Sequence, residues 1–469
     1  MKWRKVAALG MAAVMTAGVL AGCGGDSDAT TAATTTKEAE TTKAADKTEA
    51  PTTKGEETTA AEGNELSKDP VTLKVAMWDY TKTSYYKTMF AGFTEKYPNV
   101  TIEPVELDAD NYEDVITTHL SAKADIDVVF MKSMPGLSAL IDQGHVAPIN
   151  DFLDKDKDYD ASSYSGLVDY LTIEGKVYGL PFRKDNNIIY YNKDMFDAAG
   201  VEYPKDGMTM EEYYELAKKM TSGEGANKVY GAYVHTWAGN GYMYAARLGQ
   251  MDKFTPEKYD VLKDYYELFL KMSDEGIIMD YGSAKTNNIS YRDMFWNQQC
   301  AMMQMGTFQI GNLLDEEKDS ANPLAFNWGV CSLPNFEGEG NTTGVGGVTP
   351  VSVGAYANNP EWAYELVSYL CGEEGAKVLA STGILPGFTS DAINQEYAKI
   401  PDTYKLAPKN LADYIDLDTY YCDEPMVGNG KAAGKAFDEV HSAIMTGSVG
   451  VEEGIQQMKE KVQEQLDLG

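Results

Sequence analysis

The sequence predicts an α/β fold, because strand and helix patterns alternate along the chain. Residues 71–77 alternate apolar side chains with smaller or polar ones, which indicates a strand. Apolar residues at helical spacing then indicate a helix over 86–97, with Pro98 as its stop. A second strand is predicted over 100–106, and the uninterrupted apolar run at 127–131 is typical of a strand covered on both faces. This order favours helices layered on a sheet.

Further helices are predicted by their start signals. Thr209 and Glu212 form a capping box ahead of apolar residues at helical spacing. Pro360 is expected in the first turn of another helix, and long helical patterns fill 256–275 and 431–467.

The first 23 residues predict export and lipidation. Basic residues precede an uncharged apolar segment over 6–21, which is typical of a secretion signal and shorter than the ~20 residues of a spanning helix. The segment ends in Leu-Ala-Gly-Cys, which resembles the lipobox of bacterial lipoproteins. The resemblance implies that residues 1–22 are a signal peptide and that Cys23 carries fatty chains such as palmitate. We therefore expect the protein on the extracytoplasmic face of the cell membrane; an ordinary signal peptide with an incidental cysteine is the alternative.

The segment after Cys23 is predicted to be a disordered tether. Residues 24–69 are rich in Thr, Ala, Glu and Lys and contain no aromatic residue, so they bury too little apolar surface to fold. Cys23 and this tether form the unit 23–69. The whole chain has 40 basic and 72 acidic residues, which argues against nucleic acid and against direct docking on anionic lipid.

No motif predicts a metal, a cofactor or catalysis. Cys300, Cys331, Cys371 and Cys422 are widely spaced without a CxxC pair, so zinc has no support and mostly free, buried thiols are expected. The chain has no HExxH, no Gly-x-Ser-x-Gly and no phosphate loop.

Residues 175–200 carry the most specific motif. They read Gly-Lys-Val-Tyr-Gly-Leu-Pro, then an apolar run, then Tyr-Asn-Lys-Asp-Met-Phe ahead of Ala-Gly. Periodicity alone predicts a hairpin-like strand pair followed by a helix. The motif resembles the signature of the extracellular solute-binding proteins of sugar ABC importers, the class that includes maltose-binding protein. Other segments between residues 71 and 388 match in order, although Met210 stands where the family usually has Trp and Ile126 where it has Pro.

The resemblance implies a two-lobed periplasmic-binding-protein fold of type II-like form, with ligand in the cleft between discontinuous lobes. Hinge strands join the lobes, with crossings expected near 183–186 and 345–351, and ligand binding closes them. The implied segments are 70–184 with 350–395 for lobe 1, and 185–349 with 396–469 for lobe 2.

The function implied is that of a lipid-anchored receptor rather than an enzyme. It would bind a carbohydrate, expected to be an oligosaccharide, and deliver it as a monomer to the permease subunits of an ABC importer. A polyamine or a peptide ligand remains open, and a secreted glycoside hydrolase is the less favoured alternative.

A sugar site needs aromatic plates for ring faces and planar polar groups for hydroxyls. We expect carbohydrate to lie between Trp78 of one lobe and Trp237 of the other, whereas Trp296, with its apolar neighbours, is assigned to the core. The predicted ligand-binding residues lie at strand ends, lobe crossings and glycine-containing loops: Trp78, Asp79, Lys132, Ser133, Arg183, Asp185, Trp237, Gly306, Thr307, Phe308, Gly346 and Gly347.

Overall fold

The computed structural model describes residues 66–109, 111–318, 321, 323–338, 342–414, 417 and 419–469. The predicted signal peptide, Cys23 and most of the predicted tether lie outside the described residues. Across the described ranges we find no helix that is both long enough and apolar enough to cross a membrane.

Strands and helices alternate through the described residues. The strands are β1 (Val71–Met77), β2 (Val100–Glu106), β3 (Val128–Phe130), β4 (Thr172–Ile173), β5 (Lys176–Val177), β6 (Leu180–Lys184), β7 (Asn187–Asn192), β8 (Tyr230–Tyr233), β9 (Cys300–Gly306), β10 (Trp328–Ser332), β11 (Thr343–Gly346), β12 (Val348–Val353) and β13 (Thr419–Cys422). The α-helices are α1 (Ser84–Lys96), α2 (Tyr112–Ser121), α3 (Met134–Asp142), α4 (Asn150–Leu153), α5 (Lys193–Ala199), α6 (Met210–Met220), α7 (Gly239–Ala246), α8 (Leu262–Asp274), α9 (Tyr281–Thr286), α10 (Tyr291–Trp296), α11 (Phe308–Lys318), α12 (Pro360–Cys371), α13 (Glu373–Ser381), α14 (Asp391–Ala398), α15 (Ile400–Thr403), α16 (Gly430–Met445) and α17 (Val451–Leu466).

The first sheet has five strands in the order β2-β1-β3-β12-β6. β1 runs parallel to β2 and β3, as expected where helices α1 and α2 serve as the crossover connections. β12 pairs antiparallel with β3 and with β6. The strands predicted at 71–77 and 100–106 are confirmed as β1 and β2, and the apolar run at 127–131 contains β3.

The second sheet has four strands in the order β10-β7-β9-β8. β7 pairs antiparallel with β10 and β9, and β8 runs parallel to β9. The hairpin-like pairing of β6 with β7 that periodicity predicted is wrong: the two strands lie in different sheets, because the chain crosses between the sheets at Asp185 and Asn186.

Helices pack on both sheets and bury their apolar faces there. Buried residues of α1, α2, α3 and α12 join the core of the first sheet. On the second sheet, α6, α7, α8, α16 and α17 contribute to one core, and α10, α11 and α14 contribute to another. These layers confirm the predicted α/β class.

Two predicted helices show why their boundaries fall where they do. The Thr209 hydroxyl accepts the Glu212 N–H at 3.1 Å and the Glu212 carboxylate accepts the Thr209 N–H at 2.9 Å, which confirms the capping box of α6. The single helical pattern at 431–467 is two helices, α16 and α17. They are separated where Gly447 adopts the left-handed conformation, with φ of 69°.

The four cysteines expected to be free thiols are buried and unpaired in the structure. Burial raises the pKa of each thiol. They therefore stay protonated and unreactive at neutral pH.

Two crossings between the sheets meet at one tyrosine. The chain leaves the first sheet through Asp185 and Asn186 and returns to it through Gly347. The Tyr420 hydroxyl lies 3.0 Å from the Asp185 carbonyl oxygen, 2.7 Å from that of Gly346 and 3.1 Å from that of Gly347. A Cβ on Gly346 would lie 2.3 Å from the Asp185 carbonyl oxygen, so the crossings approach this closely only with glycine there.

Replacing Tyr420 with phenylalanine is expected to lower the free energy of unfolding by about 1–3 kcal/mol, because three carbonyl groups then lose their shared donor. Denaturant unfolding measures the change. The control is Tyr203→Phe, since the Tyr203 hydroxyl bonds only to the exposed Asp197. Equal effects in the two variants would refute this role for Tyr420.

Candidate ligand-binding site

Two adjoining cavities follow the crossing strands. The aromatic compartment, about 590 Å³, is bordered by Trp78, Trp237, Tyr291, Trp296 and Phe308 among others. The acidic compartment, about 480 Å³, is bordered by Asp423, Glu424, Asp438, His441, Lys253 and Lys285 among others. The two cavities adjoin and together form the groove, because four residues border both: Asp185, Trp237, Phe308 and Gly347. Each volume lies within the range of small-molecule sites.

An aromatic wall, formed by Trp237, Tyr291 and Phe308, lines one side of the groove. The ring centroids of Trp237 lie 5.6 Å from Tyr291 and 6.4 Å from Phe308, and Tyr291 lies 6.2 Å from Phe308. Trp237 is 50% exposed, whereas tryptophan side chains are on average highly buried. The wall therefore offers a broad apolar face to whatever fills the groove.

Local packing holds Trp237 in this position. The residue follows β8, and its ring lies 4.6 Å from that of buried His235. The Tyr233 hydroxyl bonds to His235 Nδ1 at 3.0 Å. Burial lowers the pKa of His235 to about 4, so the imidazole is neutral and packs as an aromatic ring.

Trp78 lies at the end of β1 on the other side of the aromatic compartment and is only 7% exposed. Its ring packs edge-on against Tyr112 at 5.0 Å, and Lys132 Nζ lies 5.2 Å from the ring centroid. Asp79 follows in the left-handed conformation, with φ of 52°. Trp78 thus exposes little of its ring to the groove.

Arg183 and Asp185 border the groove at the first crossing. Arg183 Nε donates to the Thr349 hydroxyl at 3.2 Å, and Nη1 donates to the Tyr85 hydroxyl at 3.4 Å. The Oδ1 atom of Asp185 is buried without a hydrogen-bond partner. Burial raises the pKa of Asp185, and the Arg183 charge opposes that rise.

Charged groups in the acidic compartment are held close together. Lys253 Nζ lies 2.6 Å from the Glu424 carboxylate and 3.0 Å from the Asp438 carboxylate. Lys285 Nζ donates to the Ser442 hydroxyl at 2.7 Å and to the Tyr281 hydroxyl at 3.2 Å. Both lysines are therefore engaged by side chains of the protein.

Two buried side chains in this compartment keep an unpaired polar atom. Asp423, 3% exposed, accepts the Tyr242 hydroxyl at 2.6 Å through Oδ2, while Oδ1 has no partner. Burial, and next the Glu424 charge, raise the pKa of Asp423 to about 7. His441 bonds to the Tyr266 hydroxyl through Nδ1 at 2.9 Å, while Nε2 has no partner. Burial lowers the pKa of His441 to about 3.

Most of the residues predicted from the sequence border the groove. Three do not, each for a structural reason. The Ser133 hydroxyl caps α3 through the Gly136 N–H and donates to Glu113 at 2.6 Å. The Thr307 hydroxyl is buried and accepts the Asn186 N–H at 2.9 Å. Gly346 lies beneath Tyr420 at the crossing. The residues that border the groove are Trp78, Asp79, Lys132, Arg183, Asp185, Trp237, Gly306, Phe308 and Gly347.

Sequence reasoning missed residues in both compartments. Trp296, assigned to the core, is half-buried and also borders the aromatic compartment. Asp423 and Glu424 lie beyond the segments that resemble the family. Their signal was their place directly after a strand, the end at which open α/β sheets bind ligands.

Comparisons with known proteins agree on the fold. A sugar transporter of Rhizobium etli in an open conformation is 33% identical, with a TM-score of 0.70 over 84% of this chain and 99% of that one. An ABC substrate-binding protein of Listeria monocytogenes in complex with cycloalternan is 20% identical, with a TM-score of 0.72 over 85% of this chain and 100% of that one. Both have the two-lobed fold that the motifs predicted.

Sequence relatives and a family model point to the same class of protein. An uncharacterized ABC transporter extracellular-binding protein of Pyrococcus horikoshii is 23% identical over 77% of this chain and 84% of its own length. A galactooligosaccharide-binding protein of Bacillus subtilis is 26% identical over 46% of this chain and 49% of its own length. Residues 78–377 match the family described as bacterial extracellular solute-binding protein. Because that match spans more than half of the chain, the chain belongs to the bacterial extracellular solute-binding protein family and is a binding protein of ABC transport rather than an enzyme.

Proposed function

We propose that this protein binds an oligosaccharide in the groove and delivers it to the permease of an ABC importer. The observation that carries the proposal is the aromatic wall, on which Trp237 is half exposed. Sugar rings stack on aromatic faces, and the polar side chains around them bond the hydroxyls. The names of the Rhizobium and Bacillus relatives support a sugar ligand.

An oligosaccharide suits the groove better than a single sugar. The two compartments adjoin at Asp185, Trp237, Phe308 and Gly347, and each is large enough for a small ligand. A chain of sugar units fills both while its middle crosses the aromatic wall.

Closure of two lobes over the ligand supplies the signal that the permease reads. We propose lobes of residues 70–184 with 350–390, and 185–349 with 391–469, moving about the crossings at Tyr420, with the boundary expected at 395 moved ahead of α14. Buried Ile393 and Tyr397 of α14 belong to a core of the second sheet, which favours a third crossing ahead of that helix. A ligand that touches both lobes stabilises the closed state.

A lipid on Cys23 would keep this receptor near its permease and raise its effective concentration there. Metabolic labelling with radioactive palmitate is expected to label the native chain and not Cys23→Ala, which is expected in the medium or soluble fraction instead. Equal release of both forms from the membrane would refute the anchor.

A thermal-shift screen of neutral oligosaccharides, polyamines and peptides tests the ligand class. A ligand at 100 times its dissociation constant stabilises the folded state by about 2.7 kcal/mol, which gives a clear rise in melting temperature. We expect that rise with at least one oligosaccharide. A rise with spermidine or a peptide, and with no glycan, would refute the sugar assignment.

A further inference from the structure

The acidic compartment contains buried polar groups that stacking on the aromatic wall does not explain. Asp423 and His441 border the cavity and are at most 3% exposed, and each has one buried polar atom without a hydrogen-bond partner. Asp185, which borders both compartments, has a third such atom. A buried polar atom without a partner costs stability unless a ligand or water satisfies it.

The unpaired carboxylate oxygens determine which ligand groups can bind to them. Oδ1 of Asp423 and Oδ1 of Asp185 accept hydrogen bonds and, when ionised, donate none. A matching ligand therefore brings O–H or N–H donors to this end of the groove. The unsubstituted hydroxyls of a sugar unit are such donors, whereas a carboxylate or a phosphate brings acceptors.

The net charge of the compartment also disfavours ligands that carry a carboxylate or a phosphate. Four carboxylates border it, those of Asp185, Asp423, Glu424 and Asp438, against the two ammonium groups of Lys253 and Lys285. Both lysines already bond to protein groups. An anionic ligand would meet net negative charge in a partly desolvated site, where repulsion is stronger than in water.

We propose that the acidic compartment is a specificity subsite that takes a sugar unit with free hydroxyls and rejects units that carry a carboxylate or a phosphate. This inference rests on the proposed oligosaccharide function and adds the class of glycan. Asp423 is the central acceptor, with Tyr242 holding its second oxygen at 2.6 Å.

Matched ligands test the inference without any variant. Calorimetry compares trimers of galactose and mannose with trimers of galacturonic acid and mannuronic acid. We expect at least one neutral trimer to bind, and its acidic counterpart to bind about 100-fold more weakly or not at all. Acidic trimers that bind within about threefold of the neutral ones would overturn the inference and leave the oligosaccharide function standing. Binding of no glycan would overturn both.

The variant Asp423→Asn then tests the residue itself. It has the same shape but loses the charge, so we expect neutral trimers to bind about 10- to 100-fold more weakly and the rejection of acidic trimers to diminish. Glu464→Gln removes one exposed carboxylate from α17 and is expected to change neither affinity. Unchanged binding in folded Asp423→Asn would overturn the assignment of Asp423.

Discussion

Replacing Trp237 with alanine is expected to weaken oligosaccharide binding by about 10- to 100-fold, with little change in the melting temperature. The indole is half exposed, so its removal costs the free protein less than truncation of a fully buried ring. In the complex it is expected to supply the largest stacking face of the aromatic wall, and truncated aromatic anchors typically cost 2 kcal/mol or more of binding energy. Calorimetry with the best oligosaccharide from the screen measures the loss.

A matched control separates stacking from general loss of an exposed ring. Phe336 is 43% exposed, packs on Tyr265 and lies outside both compartments. Phe336→Ala is expected to bind oligosaccharide as the native protein does. If Trp237→Ala also keeps native affinity, the aromatic wall is not where the ligand stacks.

Replacing Asp423 with asparagine is expected to stabilise the free protein at high pH while it weakens binding. Burial raises the pKa of Asp423 from 3.8 to about 7, so above pH 7 the folded state holds an ion that water solvates better in the unfolded chain. Removing that charge is expected to raise the free energy of unfolding by about 2–4 kcal/mol at pH 8. Asparagine still accepts the Tyr242 hydroxyl.

The upward shift of the Asp423 pKa determines the pH range over which the variant gains stability. The folded state binds a proton at Asp423 that the unfolded state releases above pH 3.8, so native stability from this group is complete below that pH and is lost as the pH rises through about 7. At pH 4.5 the variant is therefore expected to gain less than about 1 kcal/mol. Titrating groups that do not interact with Asp423, such as His235, occur in both proteins and cancel in the difference. Denaturant unfolding at the two pH values measures it; an equal gain at both would contradict a buried charge at Asp423.

The fold was largely predictable because local signals there agree with the tertiary structure. Alternation at 71–77 and the apolar run at 127–131 mark strands whose burial follows from their pattern. The separation of β6 and β7 into different sheets was not predictable from periodicity, since a two-residue crossing at Asp185 and Asn186 looks like a hairpin turn. The motif of residues 175–200 supplied the topology that periodicity lacked.

The site was predictable only where it follows strand ends. Trp78, Asp185 and Trp237 border the groove as that rule requires. Ser133 and Thr307 also follow strands, but the Ser133 hydroxyl caps a helix and the Thr307 hydroxyl accepts a backbone N–H at the crossing. Such local bonds of short polar side chains depend on backbone geometry that one sequence does not show. The acidic compartment is brought together from residues up to 257 positions apart, between Asp185 and Ser442, so no local pattern reveals it.

A tryptophan fluorescence titration tests most directly whether the groove binds an oligosaccharide. Trp78, Trp237 and Trp296 border the aromatic compartment, whereas Trp328 and Trp362 are buried in the cores. We predict a saturable, one-to-one change in emission with a neutral oligosaccharide, and loss of most of that change in Trp237→Phe, which keeps an aromatic ring. Emission that responds to spermidine or a peptide and to no neutral oligosaccharide would contradict the proposed function.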